Sequence, residues 1–265
     1  MRSNIEKLIL NIVFIVFISP LIILFIWSFA SSWEYPNLFP SKISLRGFEY
    51  IFNKQNLCIL SNSICISLAV VFITILISIP AAKAITLYEF KGKKFFELLI
   101  LSPIIIPLIC VAMGIHVFFI KIGIANTFIG VIIINILPCI PYAVRIIADV
   151  YVLIGDKFEI QAKMLGASRF NIIKFITLPL LLPGIIGAAS MSFIISFSQY
   201  FYTMLIGGGN IITYPMVMFP YIQSGDRTIA SLYSIVFIIV SIAVLILLES
   251  SIKRYYKDSS ENKYL

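Results

Sequence analysis

The stretch DKFEIQAKMLGASRFNIIKFITLPLLLP, residues 156–183, separates two strongly apolar runs and is too polar to sit in lipid. Its pattern is nevertheless that of ordered helix. Ala162 and Gly166 fall four apart, so two small side chains share one helix face and let a partner surface approach closely. Gly166 then permits a sharp turn, and the Ser168 hydroxyl is placed to cap a second short helix. Phe170, Ile173 and Ile176 make that second helix amphipathic, and Pro179 marks where a new helix can begin. The prediction is a helical hairpin over 156–177 on the water side of a membrane. A small, tightly turned element in that place has something to dock.

The flanking runs supply the membrane. Of the 265 residues 60% are hydrophobic and only 12% charged, where ordinary soluble domains carry about 25% charge. About 20 apolar residues cross a bilayer core. Stretches 8–29, 60–79, 98–119, 127–147, 178–206 and 229–248 meet that length, which gives one all-α membrane domain, 1–265, of six transmembrane helices. The fifth is long enough to be tilted, broken or partly peripheral. Pro80 is read as ending the second span, Pro103 and Pro107 as breaking the third, and Pro138 and Pro141 as breaking the fourth. With both termini in the cytoplasm, 15 of the 20 Lys and Arg fall inside, leaving only Lys42, Arg46, Lys54, Lys121 and Arg227 outside. That asymmetry fixes the predicted orientation. It also explains the net charge of +8 as topological bias rather than a nucleic-acid surface. Ser28-Phe29-Ala30 has the small-x-small form of a cleavage site. The apolar run before it exceeds the roughly 7–15 residues of a signal core, so a span is the reading kept. The largest other segments outside lipid are the outward loop 30–59 and a polar tail beyond Lys253.

Chemistry-bearing residues are few. No catalytic constellation and no metal-ligand spacing stands out, and no GxxxxGK[ST] loop is present: Gly92-Lys93-Lys94 is a basic turn without the upstream glycine. Cys58, Cys65, Cys110 and Cys139 form no disulfide framework, and the last three lie in apolar runs where they would pack as small hydrophobes. His116, the only histidine, sits inside the third span. It is either a polar group facing the bundle interior and satisfied by a backbone carbonyl, or part of a solute path. Ser196 and Tyr200 are four apart in the outer half of the fifth span, with Gln199 adjacent. They either line one pathway or hydrogen-bond between helices. Arg145 and Asp149 are one turn apart and form an anchoring pair, with gating as the alternative.

The hairpin resembles the cytoplasmic loop of the inner-membrane permease subunits of binding-protein-dependent ABC importers, the MetI-like family. Their signature runs roughly Glu-Ala-Ala, three residues, Gly, then an apolar stretch ending Ile-x-Leu-Pro. Ala162, Leu165, Gly166, Ala167, Ser168, Ile176, Leu178 and Pro179 match it. The first two signature positions fall on Ile160 and Gln161, with the nearest acid, Glu159, one place early. The resemblance implies a coupling helix, with Glu159, Ala162, Leu165, Gly166, Ala167, Ser168 and Pro179 as the ATPase-coupling residues. It also implies a solute path drawing on Ser196, Gln199, Tyr200 and His116. No cofactor is expected on this chain; ATP-Mg belongs to a cytoplasmic ABC ATPase dimer. A second permease subunit, an extracytoplasmic solute-binding protein and membrane lipid complete the implied partners, in the cell membrane of a prokaryote. Spermidine/putrescine permeases are the nearest subgroup, although Ser198 and Gln199 stand where those often carry acids. The competing reading, an ion-gradient-driven secondary transporter, predicts paired intramembrane acids or inverted half-repeats, and neither is evident.

Overall fold

The computed structural model describes the backbone of residues 2–32 and 42–261 and the side chains of 6–31 and 42–250. Positions 33–41 of the outward loop and the side chains of the polar tail lie outside the described residues. The chain is almost wholly helical: α1 (Arg2–Ser28), a short β1 (Ala30–Ser32) and β2 (Lys42–Ile43), α2 (Arg46–Ile51), α3 (Lys54–Leu87), α4 (Lys93–Ile105), α5 (Leu108–Lys121), α6 (Phe128–Ile154), α7 (Lys157–Met164), α8 (Arg169–Ile172), a π-helical turn (Ile173–Thr177), α9 (Leu178–Phe197), α10 (Phe201–Gly207), α11 (Tyr214–Ser224) and α12 (Arg227–Glu261). Five continuous stretches are long and apolar enough to span: α1, α3, α6, α8 through α9, and α12. The sixth is α4 with α5, bent by 104°.

Prolines act differently from the sequence reading in two of the three spans. Pro80 does not end the second span; α3 runs on to Leu87. The extension buries Ala82 beside Ala143 and Leu181, and that packing outweighs one missing backbone hydrogen bond. Pro138 and Pro141 do not break the fourth span either, since α6 passes through both without interruption. Of these three spans only the third breaks, and there the residue before proline is decisive. Ile106 is extended at φ −82°, ψ 132°, as a residue ahead of Pro107 prefers, and Pro107 caps α5. Pro103 stays inside α4.

The chain forms two compact units, Met1–Ser61 with Tyr214–Val240, and Asn62–Thr213 with Ser241–Leu265. In the first, β1 and β2 pair antiparallel with Ala30 opposite Ile43. The Thr228 hydroxyl donates to the Ala30 carbonyl at 2.6 Å, and the Arg227 guanidinium stacks over Trp27 at 5.3 Å. Tyr214 donates to the Tyr233 carbonyl at 3.0 Å.

In the second unit α6 is the central helix. Thr127 starts it, its hydroxyl accepting from the Gly130 amide at 3.1 Å. One apolar cluster joins α6 to α3, α5 and α10 through Val70, Phe119, Ile134 and Tyr202. A second joins it to α3 and α9 through Ala82, Ala143, Ile147, Leu181 and Ala188. Gly184 lets α9 approach α6 closely: a Cβ there would lie 2.7 Å from Val150 Cγ2. Of the cysteines read as small hydrophobes only Cys139 is buried. Cys65 and Cys110, like Cys58, are exposed on this chain, because their helix faces point away from either cluster.

Candidate functional site

The predicted hairpin is present, and its turn has a specific construction. After α7, Gly166 takes a left-handed φ of +81°. Its amide donates to the Lys163 carbonyl at 3.1 Å, and the Ala167 amide reaches the Ala162 carbonyl at 3.0 Å. These paired 5→2 and 6→1 bonds are a Schellman ending, which satisfies carbonyls that α7 would otherwise leave bare. Ser168 then caps α8, its hydroxyl accepting from the Asn171 amide at 3.3 Å, as the sequence predicted. Ala162 and Ile172 are buried, at 8% and 7%, and α7 packs against α8 and the π-helical turn.

Pro179 stands in the first turn of α9, where the sequence reading put a helix start, but α9 is not separated from what precedes it. The backbone is helical from Arg169 to Phe197, and Pro179 lies near the start of α9, half-buried. Just ahead of it the π-helical turn slips the register, the Leu178 amide bonding back to the Ile173 carbonyl, five residues away. A wider turn relieves the clash between a proline ring and the carbonyl four residues before it.

Glu159 faces inward. One carboxylate oxygen accepts from Lys83 Nζ at 2.5 Å and the other from the Thr177 hydroxyl at 2.7 Å. Neither Lys83 nor Thr177 was named from sequence. The available signal was helical phase: Glu159 and Ala162 are three apart and share the buried face of α7. The opposite face is open. Ile160, Met164, Leu165 and Phe170 are 48%, 82%, 88% and 71% exposed, and Lys157, Lys163, Arg169 and Lys174 stand exposed around them. The outward side of the hairpin is thus an apolar tip among cations.

Of the residues read either as a solute path or as interhelical bonding groups, Ser196 and Tyr200 do not lie on one continuous helix. Helix α9 stops at Phe197, and Ser198 to Tyr200 form a break before α10. Ser196 and Tyr200 therefore do not share one helix face, because four-residue spacing aligns side chains only within a continuous helix. Ser196 is buried and its hydroxyl donates to Ser67 on α3 at 3.4 Å. Gln199 and Tyr200 are half-buried, as is His116 on α5. Sequence reasoning missed a polar seam in the same unit: Asn135 donates to Thr203 at 3.2 Å, and the Cys139 thiol lies 3.2 Å from the Asn135 carbonyl and 3.5 Å from that of Ser192. Arg145 and Asp149 do pair, at 3.3 Å, with both side chains well exposed; such a pair contributes little to stability. Among the described residues no group of three or more His, Cys, Asp and Glu could hold a metal ion.

Comparison with known proteins places these features in context. A family described as "Binding-protein-dependent transport system inner membrane component" matches residues 74–257. The chain is 28% identical to the arabinooligosaccharides transport system permease protein AraQ of Halalkalibacterium halodurans, over 72% of this chain and 70% of that one. It is 24% identical to the spermidine/putrescine transport system permease protein PotC of Haemophilus influenzae, over 77% and 80% respectively. The fold is similar to that in a crystal structure of a bacterial ABC transporter involved in the import of the acidic polysaccharide alginate. The TM-score there is 0.71 at 17% identity, covering 96% of each chain.

Proposed function

The chain belongs to the family of binding-protein-dependent transport system inner membrane components, and on that premise we propose that α7 and α8 dock this ABC importer permease onto a separate cytoplasmic ATPase. Permeases of this family are transport components rather than enzymes. The observation that carries the docking role is the outward face of the hairpin. Apolar Met164, Leu165 and Phe170 stand in the open on either side of the Schellman turn. Exposed apolar surface on the water side of a membrane protein marks an interaction site.

The reading is alternating access. ATP-Mg bound on the ATPase dimer closes it, the docked hairpins move together, and the membrane bundles open outward to accept solute from an extracytoplasmic binding protein. Hydrolysis returns them to the inward-facing state. A second permease subunit, identical or related, completes the path. Glu159, Ala162, Gly166, Ala167 and Ser168 shape the hairpin, and Leu165 makes the contact. Pro179 belongs to the helix that receives the motion. The solute is a small polar molecule met by hydroxyl and amide groups such as Ser196, Gln199 and Tyr200, with His116 on a neighbouring helix. Relatives carry arabinooligosaccharides and spermidine or putrescine, and polyamine is the subgroup the sequence layout favours. The distribution of Lys and Arg supports a cytoplasmic position for the site.

Leu165→Asp tests the reading. The side chain is 88% exposed, so the variant should insert and fold as before. It should lose ATPase copurification by about tenfold or more, the scale of one charge desolvated at an apolar contact. Unchanged copurification, or transport driven by an ion gradient with no ATPase present, would overturn the proposal.

A further inference from the structure

Three segments of one compact unit meet at the Glu159 carboxylate. Lys83 comes from the end of α3, Glu159 from α7, and Thr177 from the π-helical turn that leads into α9. The Lys83 and Glu159 side chains are only 25% and 21% exposed, against 79% and 62% for Arg145 and Asp149. This pair is therefore far less screened by water than the surface pair. Each oxygen of the carboxylate already holds one donor, and the neighbouring Ile160 faces out instead. The acid of α7 is thus directed into its own chain.

We propose that Lys83, Glu159 and Thr177 form a strut that carries displacement of the hairpin into α3 and α9. Lys83 and Thr177 are positioning residues that act through Glu159. The inference rests on the docking role argued above. Small apolar contacts such as Ala162 let a helix slide, whereas charge-assisted hydrogen bonds fix distance and direction. When the hairpin moves as a rigid element, the strut makes two spans follow it, since packed elements shift between discrete arrangements. Cutting the strut leaves the hairpin able to dock but disconnects it from the bundle.

The test uses the full chain with its ATPase in proteoliposomes. Cys58, Cys65 and Cys110 are replaced by Ser, and Ser198→Cys serves as reporter in the break after α9. N-ethylmaleimide labelling of that position is measured with and without ATP and vanadate. Glu159→Gln and Lys83→Met should each reduce the nucleotide-dependent change in labelling by about tenfold, the scale of energetic coupling through a physical network. In Lys83→Met, ATPase copurification and ATP hydrolysis should persist. The paired exchange Lys83→Glu with Glu159→Lys should restore most of the response, and retained docking and hydrolysis in Lys83→Met separate coupling from a merely structural role. Thr177→Val, which removes only a hydroxyl, should give a smaller loss and serves where the charge variants do not fold. A wild-type response in either single variant, or a folded exchange variant that docks the ATPase without recovering the response, overturns the strut. If the parent chain itself retains no ATPase, the docking role falls, and the strut falls with it.

Discussion

At Gly166 the reason for the residue is conformational. Its φ of +81° is one that L side chains rarely adopt, yet a Cβ built there meets nothing within 4 Å. Gly166→Ala should therefore cost about 1 kcal/mol of local stability through backbone strain alone, measurable as faster amide exchange in α7. An effect on ATPase docking larger than that strain accounts for would locate a partner surface against the glycine. This residue was legible in sequence because its signal is local: a glycine four places after a small residue, followed by a capping serine. Glu159 was only half legible. Its position was evident, but its partner Lys83 lies 76 residues earlier, and pairing across that separation leaves no periodic trace. The same holds for Asn135 and Thr203, joined across 68 residues.

Among the elements, the membrane spans were legible and helix continuity was not; α2 (Arg46–Ile51) formed inside the stretch read as the outward loop 30–59. Apolar run length located every span, since it reflects bilayer thickness directly. Proline was the unreliable sign. Pro80, Pro138 and Pro141 are absorbed into continuous helices, whereas the stretch at Ser198 to Tyr200, with no proline, interrupts the fifth span. Whether a proline breaks a helix depends on the packing on either side, which a single sequence does not display. The contact between α6 and α9 gives an element-scale prediction. A leucine at Gly184 would collide with Val150, 2.7 Å from the ideal Cβ position, and the side chain stands on α6 rather than on a free end. Gly184→Leu should destabilise the unit by about 1–3 kcal/mol, read as a lower midpoint in thermal unfolding in detergent. Unaltered stability would mean that the two helices separate at no cost.

For the molecule as a whole, the charge distribution is the main guide to sidedness. A cysteine at Lys163, in a background free of exposed native cysteines, should react with a membrane-impermeant maleimide in inverted vesicles and not in intact cells. The reverse pattern would turn the hairpin away from the ATP supply. Much of the molecule's apolar surface is uncovered within this chain. The most apolar window of α1 buries none of its residues, and Phe14 and Phe17 are 65% and 76% exposed; lipid is the natural cover for such a surface. The π-helical turn also shows where the chain can change length. A turn of that kind holds one residue more than an ordinary helical winding, so removing Lys174 would leave the parts before and after it in their present rotational phase. The same deletion further along α9 would swing everything downstream by about 100° and point Leu181 or Ala188 at the wrong neighbour. Insertions and losses of a single residue should be tolerated at the slack winding and rejected beyond it.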